Sequence, residues 1–431
     1  MRKIIVFLTL SFFIFVNSFA NEQEEFFEEF NKWLAKNEFT DFYKVGFAEP
    51  TGKCKELEKF SQHWYYNNCD KDKKIIGNYN VNTYNGNSEI PEKIQGKDVK
   101  ANYETLLYYF WSYVHADDRN WASAPRYSDI QPSDNPYQFE FNLREDKYIK
   151  KQMQKTALLS YLLFEDGKIV IDELSPKDKF GKVFTNETKY HSQSVGKSFA
   201  SYILGHAICK GYVGGIDSKL NDWPLIENTL YHNQKIIDLI NMKAGDGNYF
   251  SSPFSNEFKN PSSRYSTTNR TIPSVMINEF NNSKKSGNKW AYNNLLPHII
   301  LNYIIFKAGD DGFKNLLDHV FREKAGIEYN TILVMTEQSA DNSSAESTTS
   351  TFLTTRYDYL RIARAMLQDW QNDTCEGKYL KSLYERKVKK NYEYSDNKQA
   401  FRNTKSYGGF FHLEPSGMKK RHVFVMDGYG G

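Results

Sequence analysis

The stretch His191–Gly211 constrains the fold of this chain more than any other. Its apolar residues recur every four positions, at Val195, Phe199, Ile203 and Ala207. This spacing is typical of a helix that buries one face, and Gly211 suits its C-terminal end. Ser194 stands at the predicted start, and Lys197 lies on the same face three residues on. The pair is a candidate nucleophile with its activator; the alternative is that Ser194 caps the helix and Lys197 is solvated.

Composition excludes several function classes. The 431 residues are 40% hydrophobic and 16% aromatic, which suffices for one large domain with an appendage or for two domains. The 56 basic and 53 acidic residues are interspersed and leave a net charge of +3. Because the basic residues do not form a cluster in the sequence, we expect neither nucleic acid nor an anionic membrane as a partner.

Residues 1–20 are typical of a secretory signal peptide. Arg2 and Lys3 precede an apolar run, Ile4–Val16, and Ser18-Phe19-Ala20 offers a small-x-small cleavage site. The apolar run is short for a bilayer, which needs about 20 residues, although an uncleaved anchor is the alternative. We therefore predict a periplasmic or secreted protein without a stable membrane span after cleavage.

Four cysteines suit such an oxidising compartment. Cys54 and Cys69 are close enough in sequence to close a short loop, whereas Cys209 and Cys375 pair only if the fold brings them together. The sequence has no CxxC motif and no His-rich spacing. We accordingly predict no metal site and no cofactor.

The chain divides into an extension and a main domain. Residues 21–150 are irregular and rich in aromatics, and we interpret them as an extension that packs on the main domain or as a substrate-shaping or partner-binding lobe. From about residue 151, strands stand at both ends and helices fill the middle. The strand-like segments are Ser160–Phe164 and Lys168–Asp172, joined by an Asp-Gly turn, then Gly409–Leu413 and His422–Met426. This order predicts an α+β domain, a mostly antiparallel sheet formed by the two ends of the domain with an inserted helical lobe.

Three motifs occur in order within residues 157–431. Ser194-x-x-Lys197 is followed 98 residues later by Tyr292-Asn293-Asn294, and a glycine-rich segment, Gly428–Gly431, follows the last strand-like run. Together they resemble the β-lactamase and penicillin-binding-protein-like serine hydrolases. The resemblance is greatest to the branch with a Tyr-x-Asn motif, which includes class C β-lactamases, β-lactamase-fold esterases and 6-aminohexanoate-dimer hydrolase.

The resemblance implies a role for each motif residue. Ser194 would be the acylated nucleophile, and Lys197, with a lowered pKa, would help to remove its proton. Tyr292 would be the second proton carrier, in acylation and in deacylation. Asn294 would orient the lysine or the substrate amide. The backbone N–H of Ser194 would supply half of an oxyanion hole.

The third motif departs from the family pattern. Tyr429, Gly430 and Gly431 would occupy its three positions and line the substrate, and the second oxyanion donor would be the next residue. The resemblance thus implies a truncated chain that lacks a C-terminal strand and helix. Because the motif has no lysine to hold a substrate carboxylate, we favour hydrolysis of a small-molecule amide or ester. A D-Ala-D-Ala peptidase or β-lactamase and a non-catalytic envelope binding protein are the alternatives.

Other catalytic and phosphate-binding motifs fit this sequence less well. Ser133-Asp134-Asn135 precedes the serine, and Gly196-Lys197-Ser198 lacks the upstream glycine of a phosphate-binding loop. No Gly-x-Ser-x-Gly elbow surrounds Ser194. A Ser-His-Asp triad with His191 or His206 stays open from spacing alone.

Overall fold

The computed structural model describes residues 127–155, 158–177, 181, 184–250, 271–335, 348–390, 404–415, 418 and 421–428. The predicted signal peptide, most of the extension, Cys54, Cys69 and residues 429–431 lie outside them. The chain divides into two compact units. The described parts of the first lie within Tyr148–Leu159 and Leu174–Thr185, and the second takes His115–Lys147, Ser160–Glu173 and Asn186–Gly431.

Seven α-helices are described. They are α1 (Lys147–Lys155), α2 (Val195–Cys209), α3 (Ile236–Ile240), α4 (Ile272–Glu279), α5 (Leu295–Leu317), α6 (Arg356–Gln371) and α7 (Cys375–Glu385). A π-helix, Asp318–Ala325, continues α5 directly. Helix α5 is kinked at Gly309, whose φ of +73° is left-handed. None of the helices in the described part of the chain is long and apolar enough to cross a membrane.

Eleven strands are described. They are β1 (Tyr127–Ile130), β2 (Glu140–Phe141), β3 (Ser160–Glu165), β4 (Lys168–Leu174), β5 (Lys189–His191), β6 (Thr331–Met335), β7 (Thr348–Thr355), β8 (Val388–Lys389), β9 (Thr404–Gly408), β10 (Phe411–Pro415) and β11 (Phe424–Val425). They form three sheets, with strand orders β1-β6-β7-β5, β11-β10-β9-β8 and β2-β4-β3. The first two sheets are antiparallel, and β2 runs parallel to β4. The predicted α+β fold with mostly antiparallel sheets is confirmed.

The predicted meeting of the two chain ends in one sheet is not what the described strands show. The early hairpin β3–β4 and the late strands β9–β11 belong to different sheets. Both hydrogen-bonding edges of β4 are occupied, by β3 and β2, so no late strand pairs with it. Strand β1 arises from the predicted extension and pairs with β6. That part of the extension is thus a strand of the second unit.

Helix α2 lies at the centre of the second unit. It packs against α5, α7 and β7, and its residues from Gly196 to Ala207 are all buried. A Cβ on Gly196 would come within 1.8 Å of the carbonyl oxygen of Ser350 in β7. Only glycine allows the two backbones this approach, and it fixes the first turn of the helix against the sheet.

A disulfide joins Cys209, the last residue of α2, to Cys375, the first residue of α7. The fold therefore brings together the cysteine pair whose bonding depended on tertiary structure. The link crosses 166 residues of sequence and ties the end of α2 to α7.

Candidate active site

A strained turn presents Ser194 at the start of α2. Gln193 has a φ of +47°, and its backbone N–H donates to His191 Nδ1 at 3.1 Å. Ser192 is tied to β7 in both directions: its N–H donates to the carbonyl of Phe352 at 2.7 Å, and its Oγ accepts from the N–H of Phe352 at 2.9 Å. Backbone strain of this kind is common at functional sites. The turn and the sheet together hold Ser194 in place.

The Ser194 hydroxyl contacts a lysine instead of capping the helix. Ser194 is the N-cap residue of α2 but makes no side-chain capping hydrogen bond. Lys197 Nζ lies 2.9 Å from Ser194 Oγ and 2.6 Å from Asn294 Oδ1. The fold therefore brings Asn294 to Lys197, which is 97 residues away in sequence and already contacts Ser194. The alternative of a capping serine with a solvated lysine is not what the structure shows.

Burial sets the protonation of Lys197. Its side chain is only 4% exposed, and desolvation lowers its pKa from 10.5 to about 7. Removing an ammonium group from water disfavours the charged form, so the amine is well populated near neutral pH. An unprotonated amine within hydrogen-bond distance of a hydroxyl is able to accept its proton.

Tyr292 forms one wall of the same site. Lys197 Nζ lies 4.9 Å from the centroid of the Tyr292 ring. The ring is buried among other aromatic side chains, with centroid distances of 6.2 Å to Trp290, 6.0 Å to Tyr407 and 6.1 Å to His412. This packing fixes the Tyr292 ring beside Lys197.

Asn293, the middle residue of the second motif, holds this segment in place and was missed by the sequence analysis. Its Oδ1 accepts from the backbone N–H groups of Leu295 and Leu296, each at 3.1 Å, and so caps α5. Its Nδ2 donates to the Asp246 carboxylate at 3.2 Å. Asp246 also accepts from the Tyr231 hydroxyl at 3.0 Å, and burial raises its pKa to about 6. An Asn at a helix start was the only sequence signal for this role.

A second buried lysine lies near Tyr292. Lys390 Nζ lies 2.6 Å from His412 Nδ1 and also contacts Thr404 Oγ1. Burial lowers the pKa of Lys390 to about 7 and that of His412 well below its usual value. His412 is therefore a neutral imidazole between Lys390 and Tyr292. No spacing in the sequence pointed to this pair, because its members lie on the two sides of strand β9, 22 residues apart in sequence.

His298 is a further buried group near the lysine. It stands one turn after Asn294 in α5, and burial together with the Lys197 charge lowers its pKa to about 3. Its Nδ1 has no hydrogen-bond partner among the described residues. His298 thus stays neutral beside Lys197.

Gly428 lies against the turn that carries Ser194. A Cβ on Gly428 would lie 2.9 Å from the carbonyl oxygen of Ser192 and 3.2 Å from a methyl group of Val195. The glycine-rich segment therefore begins directly against the turn that carries Ser194. The predicted substrate residues Tyr429, Gly430 and Gly431 lie outside the described residues.

The other candidate motifs are placed elsewhere. Asp134 accepts from Arg322 at 3.3 Å, in a surface ion pair. His206 lies twelve residues after Ser194 in the sequence, near the far end of α2. The side chain that contacts Ser194 Oγ is that of Lys197, so a triad with His191 or His206 is not what the geometry shows.

Comparison with known proteins identifies the fold. No family model matches the sequence, and none of the curated proteins matches it. The structure is similar to that of a Bacillus anthracis protein assigned as a 6-aminohexanoate-dimer hydrolase, with 14% identity and a TM-score of 0.51 over 75% of this chain and 84% of that chain. The chain has the β-lactamase and penicillin-binding-protein fold. Proteins of this fold are generally serine hydrolases.

Two further structures show weaker likeness. One is a Bacteroides dorei protein assigned as a β-lactamase, with 12% identity and a TM-score of 0.40 over 52% of this chain and 63% of that chain. The other is an octameric penicillin-binding protein homologue from Pyrococcus abyssi, with 14% identity and a TM-score of 0.38 over 60% of this chain and 61% of that chain.

Proposed function

We propose that this protein is an exported serine hydrolase that cleaves amide or ester bonds through an acyl-enzyme on Ser194. One observation carries the proposal: Lys197 Nζ lies 2.9 Å from Ser194 Oγ in a site where burial lowers the lysine pKa to about 7. A serine hydroxyl is a weak nucleophile until a neighbouring base accepts its proton. Lys197 is the base within reach.

The geometry supports a two-step reaction. In acylation, Ser194 Oγ attacks the carbonyl carbon while its proton passes to the Lys197 amine, and Tyr292 relays a proton to the leaving amine or alcohol. The leaving group departs with that proton, and the acyl group stays on Ser194. In deacylation, water attacks the ester carbonyl and gives one proton to the Tyr292–Lys197 pair. Ser194 Oγ then leaves as the hydroxyl, and the carboxylic acid is released.

The substrate proposal rests on the third motif and on one structural relative. The sequence from Gly428 to the last residue contains no lysine to hold a substrate carboxylate. The Bacillus anthracis protein is assigned as a hydrolase of 6-aminohexanoate dimer, whose units are joined through an amide bond. A small-molecule amide or ester is therefore the substrate class that we propose for this chain.

Export is supported by the signal-like residues 1–20 and by the disulfide. The Cys209–Cys375 bond ties together two helices of the second unit. Disulfides of this kind persist in oxidising compartments and are rare in the cytosol. We propose that the mature protein acts in the periplasm or outside the cell.

Labelling with a fluorophosphonate probe tests the acyl-enzyme proposal. The probe should form a covalent adduct with the full chain and none with Ser194→Ala. Ser198→Ala is the matched control, because this serine lies one turn on in α2 and its hydroxyl donates to the carbonyl of Phe410 instead. It should be labelled like the unchanged protein. A folded protein that forms no Ser194-dependent adduct would be a binding protein, and the proposal would be wrong.

Turnover assays separate the substrate classes. Linear p-nitrophenyl esters and anilides should be hydrolysed faster than a chromogenic cephalosporin or a D-Ala-D-Ala peptide. Faster hydrolysis of either of the latter two would favour the alternative of a β-lactamase or a D-Ala-D-Ala peptidase and leave the serine mechanism intact.

A further inference from the structure

Three metal-ligating side chains converge at the far end of α2, away from Ser194. They are His206 of α2, His319 of the π-helix and Glu376 in the first turn of α7. One ligand atom from each lies within 4.8 Å of the other two. Since each residue comes from a different segment, the cluster exists only in the folded chain.

His206 is the buried member of the cluster. Its side chain is fully buried, and neither ring nitrogen has a hydrogen-bond partner among the described residues. Its Nδ1 lies 3.2 Å from Glu376 Oε1, but the two atoms do not have the geometry of a hydrogen bond. A buried ring nitrogen whose one contact is poorly aligned costs free energy, whereas a cation between this nitrogen and the carboxylate would satisfy both groups.

His319 has the second contact that metal-binding histidines usually make. Its Nδ1 lies 2.5 Å from Glu323 Oε2, so with the proton on Nδ1 the Nε2 lone pair is available. A carboxylate in this position fixes the tautomer and orientation of a ligating imidazole. The π-helix carries both residues, and such helices occur frequently at functional sites. The His206 and His319 rings meet edge to face, with centroids 5.3 Å apart.

We propose that His206, His319 and Glu376 bind one divalent transition-metal ion, with zinc as the best fit. Two imidazoles and one carboxylate are a recurrent zinc ligand set, and water would take the fourth position. Atoms bound to one tetrahedral zinc ion at about 2.0–2.1 Å lie roughly 3.3 Å apart. Side-chain shifts of about an ångström from the present spacing would close the site. The His319 and Glu376 side chains are 23% and 13% exposed, which gives the ion a path from solvent.

The proposed ion would lie apart from Ser194 and take no part in the acyl-transfer chemistry. Twelve residues of helix separate His206 from Ser194, which is about 18 Å along the axis. The ion would join α2 to α7 and to the π-helix, beside the Cys209–Cys375 bond that links the same two α-helices. The proposal is therefore independent of the proposed hydrolase activity.

A zinc titration of the full chain, stripped with a chelator, tests the site. Calorimetry should show one Zn²⁺ per chain, and Co²⁺ should give the visible absorption of a four- or five-coordinate site. His319→Gln and Glu376→Gln should each weaken zinc binding at least tenfold. Glu323→Gln, which removes only the outer carboxylate, should weaken it about 10- to 100-fold.

Two controls keep the result interpretable. Glu385→Gln makes the same chemical change at the exposed far end of α7 and should bind zinc like the unchanged protein. Ser194→Ala should also bind zinc normally, so failure of the hydrolase proposal and failure of the metal proposal are distinguishable. Circular dichroism checks that each variant is folded. The proposal is overturned if the folded protein binds no zinc saturably, or if the ligand variants bind it as tightly as Glu385→Gln does.

Discussion

At the scale of single residues, the site depends on the two groups that share Lys197. Ser194 Oγ and Asn294 Oδ1 both lie within hydrogen-bond distance of the same nitrogen. The amide oxygen of Asn294 accepts a hydrogen bond more readily from the ammonium than from the amine, so it opposes the effect of burial. Asn294 therefore adjusts the fraction of Lys197 that is unprotonated at neutral pH.

The pH dependence of labelling should report this balance. The rate of fluorophosphonate labelling should rise as pH increases through about 7, because only the amine form of Lys197 accepts the serine proton. Asn294→Asp places a carboxylate beside the ammonium, which should raise the midpoint by about 1–3 pH units. Asn294→Ala removes the acceptor and should lower the midpoint. An identical midpoint in all three proteins would contradict this role.

Two buried lysines should also make the free energy of unfolding depend on pH. Burial lowers the pKa of Lys197 and of Lys390 from 10.5 to about 7. Between pH 7 and the unfolded pKa, the unfolded chain binds more protons than the folded chain, so these groups make stability rise with pH. Below pH 7 both states are protonated, and the destabilisation is fully present.

Lys390→Met should flatten this rise. The free energy of unfolding of the variant, relative to the unchanged protein, should be highest below pH 7 and should fall by up to a few kcal/mol towards pH 10. Denaturant unfolding at pH 6, 8 and 10 measures the difference. Lys378→Met, an exposed substitution in α7, is the control and should show no such trend. A difference that is constant with pH would show that Lys390 is charged in the folded protein.

At the scale of secondary-structure elements, the contact between α2 and β7 positions the nucleophile. Gly196→Ala should disrupt it, because the new Cβ would lie 1.8 Å from the carbonyl oxygen of Ser350 and 2.8 Å from Ser192 Oγ. We expect a loss of about 1–3 kcal/mol in the free energy of unfolding together with slower labelling of Ser194. Gly247→Ala, whose Cβ would meet only Ala291 at 3.4 Å, should change neither measurement. Unchanged labelling in Gly196→Ala would show that this contact does not position the serine.

The two asparagines that open α5 should separate stability from chemistry. Asn293→Ala removes the cap of α5 and a hydrogen bond to the buried Asp246, so it should lower the free energy of unfolding by about 2–4 kcal/mol. Asn294→Ala leaves the cap intact and removes only the contact with Lys197, so it should cost less than Asn293→Ala. Urea unfolding of both variants measures this. Equal losses would mean that the neighbours share one role.

At the scale of the whole molecule, the disulfide closes most of the second unit into one loop. In the chain-entropy account, a bond across 166 residues restricts the unfolded chain by about 5 kcal/mol. A protein with both Cys209→Ser and Cys375→Ser should lose about 2–5 kcal/mol in the free energy of unfolding. Unfolding in urea with and without a reductant measures it: the reductant should destabilise the unchanged protein and leave the double variant unaffected. Equal stability of the two proteins would contradict the prediction.

Some of the fold could be predicted because local geometry decides it. The Asp166-Gly167 turn joins β3 to β4 with both residues at positive φ, as the Asp-Gly pair predicted. The helices that begin at Leu295 and at Arg356 lie in the middle of the main domain, where the order of the segments predicted helices. Each of these features depends on residues within a few positions of one another.

Other elements carry no local signal. Strand β7 is rich in threonine and does not alternate between apolar and polar residues, yet most of it is buried. Its hydroxyl groups find partners on β6: Thr354 Oγ1 lies 2.8 Å from Thr331 Oγ1, and Thr349 Oγ1 donates to the carbonyl of Val334. Burial of these polar groups is favourable only with that partner strand present. The division into three sheets likewise depends on which strands, distant in sequence, form hydrogen bonds with one another.

That Ser194 and Lys197 share one helix face follows from their spacing alone, because 3.6 residues make a turn whatever surrounds the helix. Three features depend on how the chain packs: Lys197 is desolvated, Asn294 contacts its amino group, and Cys209 meets Cys375. The cluster of His206, His319 and Glu376 also depends on how the chain packs. The local spacing that led us to predict no metal site cannot detect such a cluster. The reason is physical: periodicity acts over a few residues, whereas burial and the meeting of distant side chains depend on how the whole chain packs.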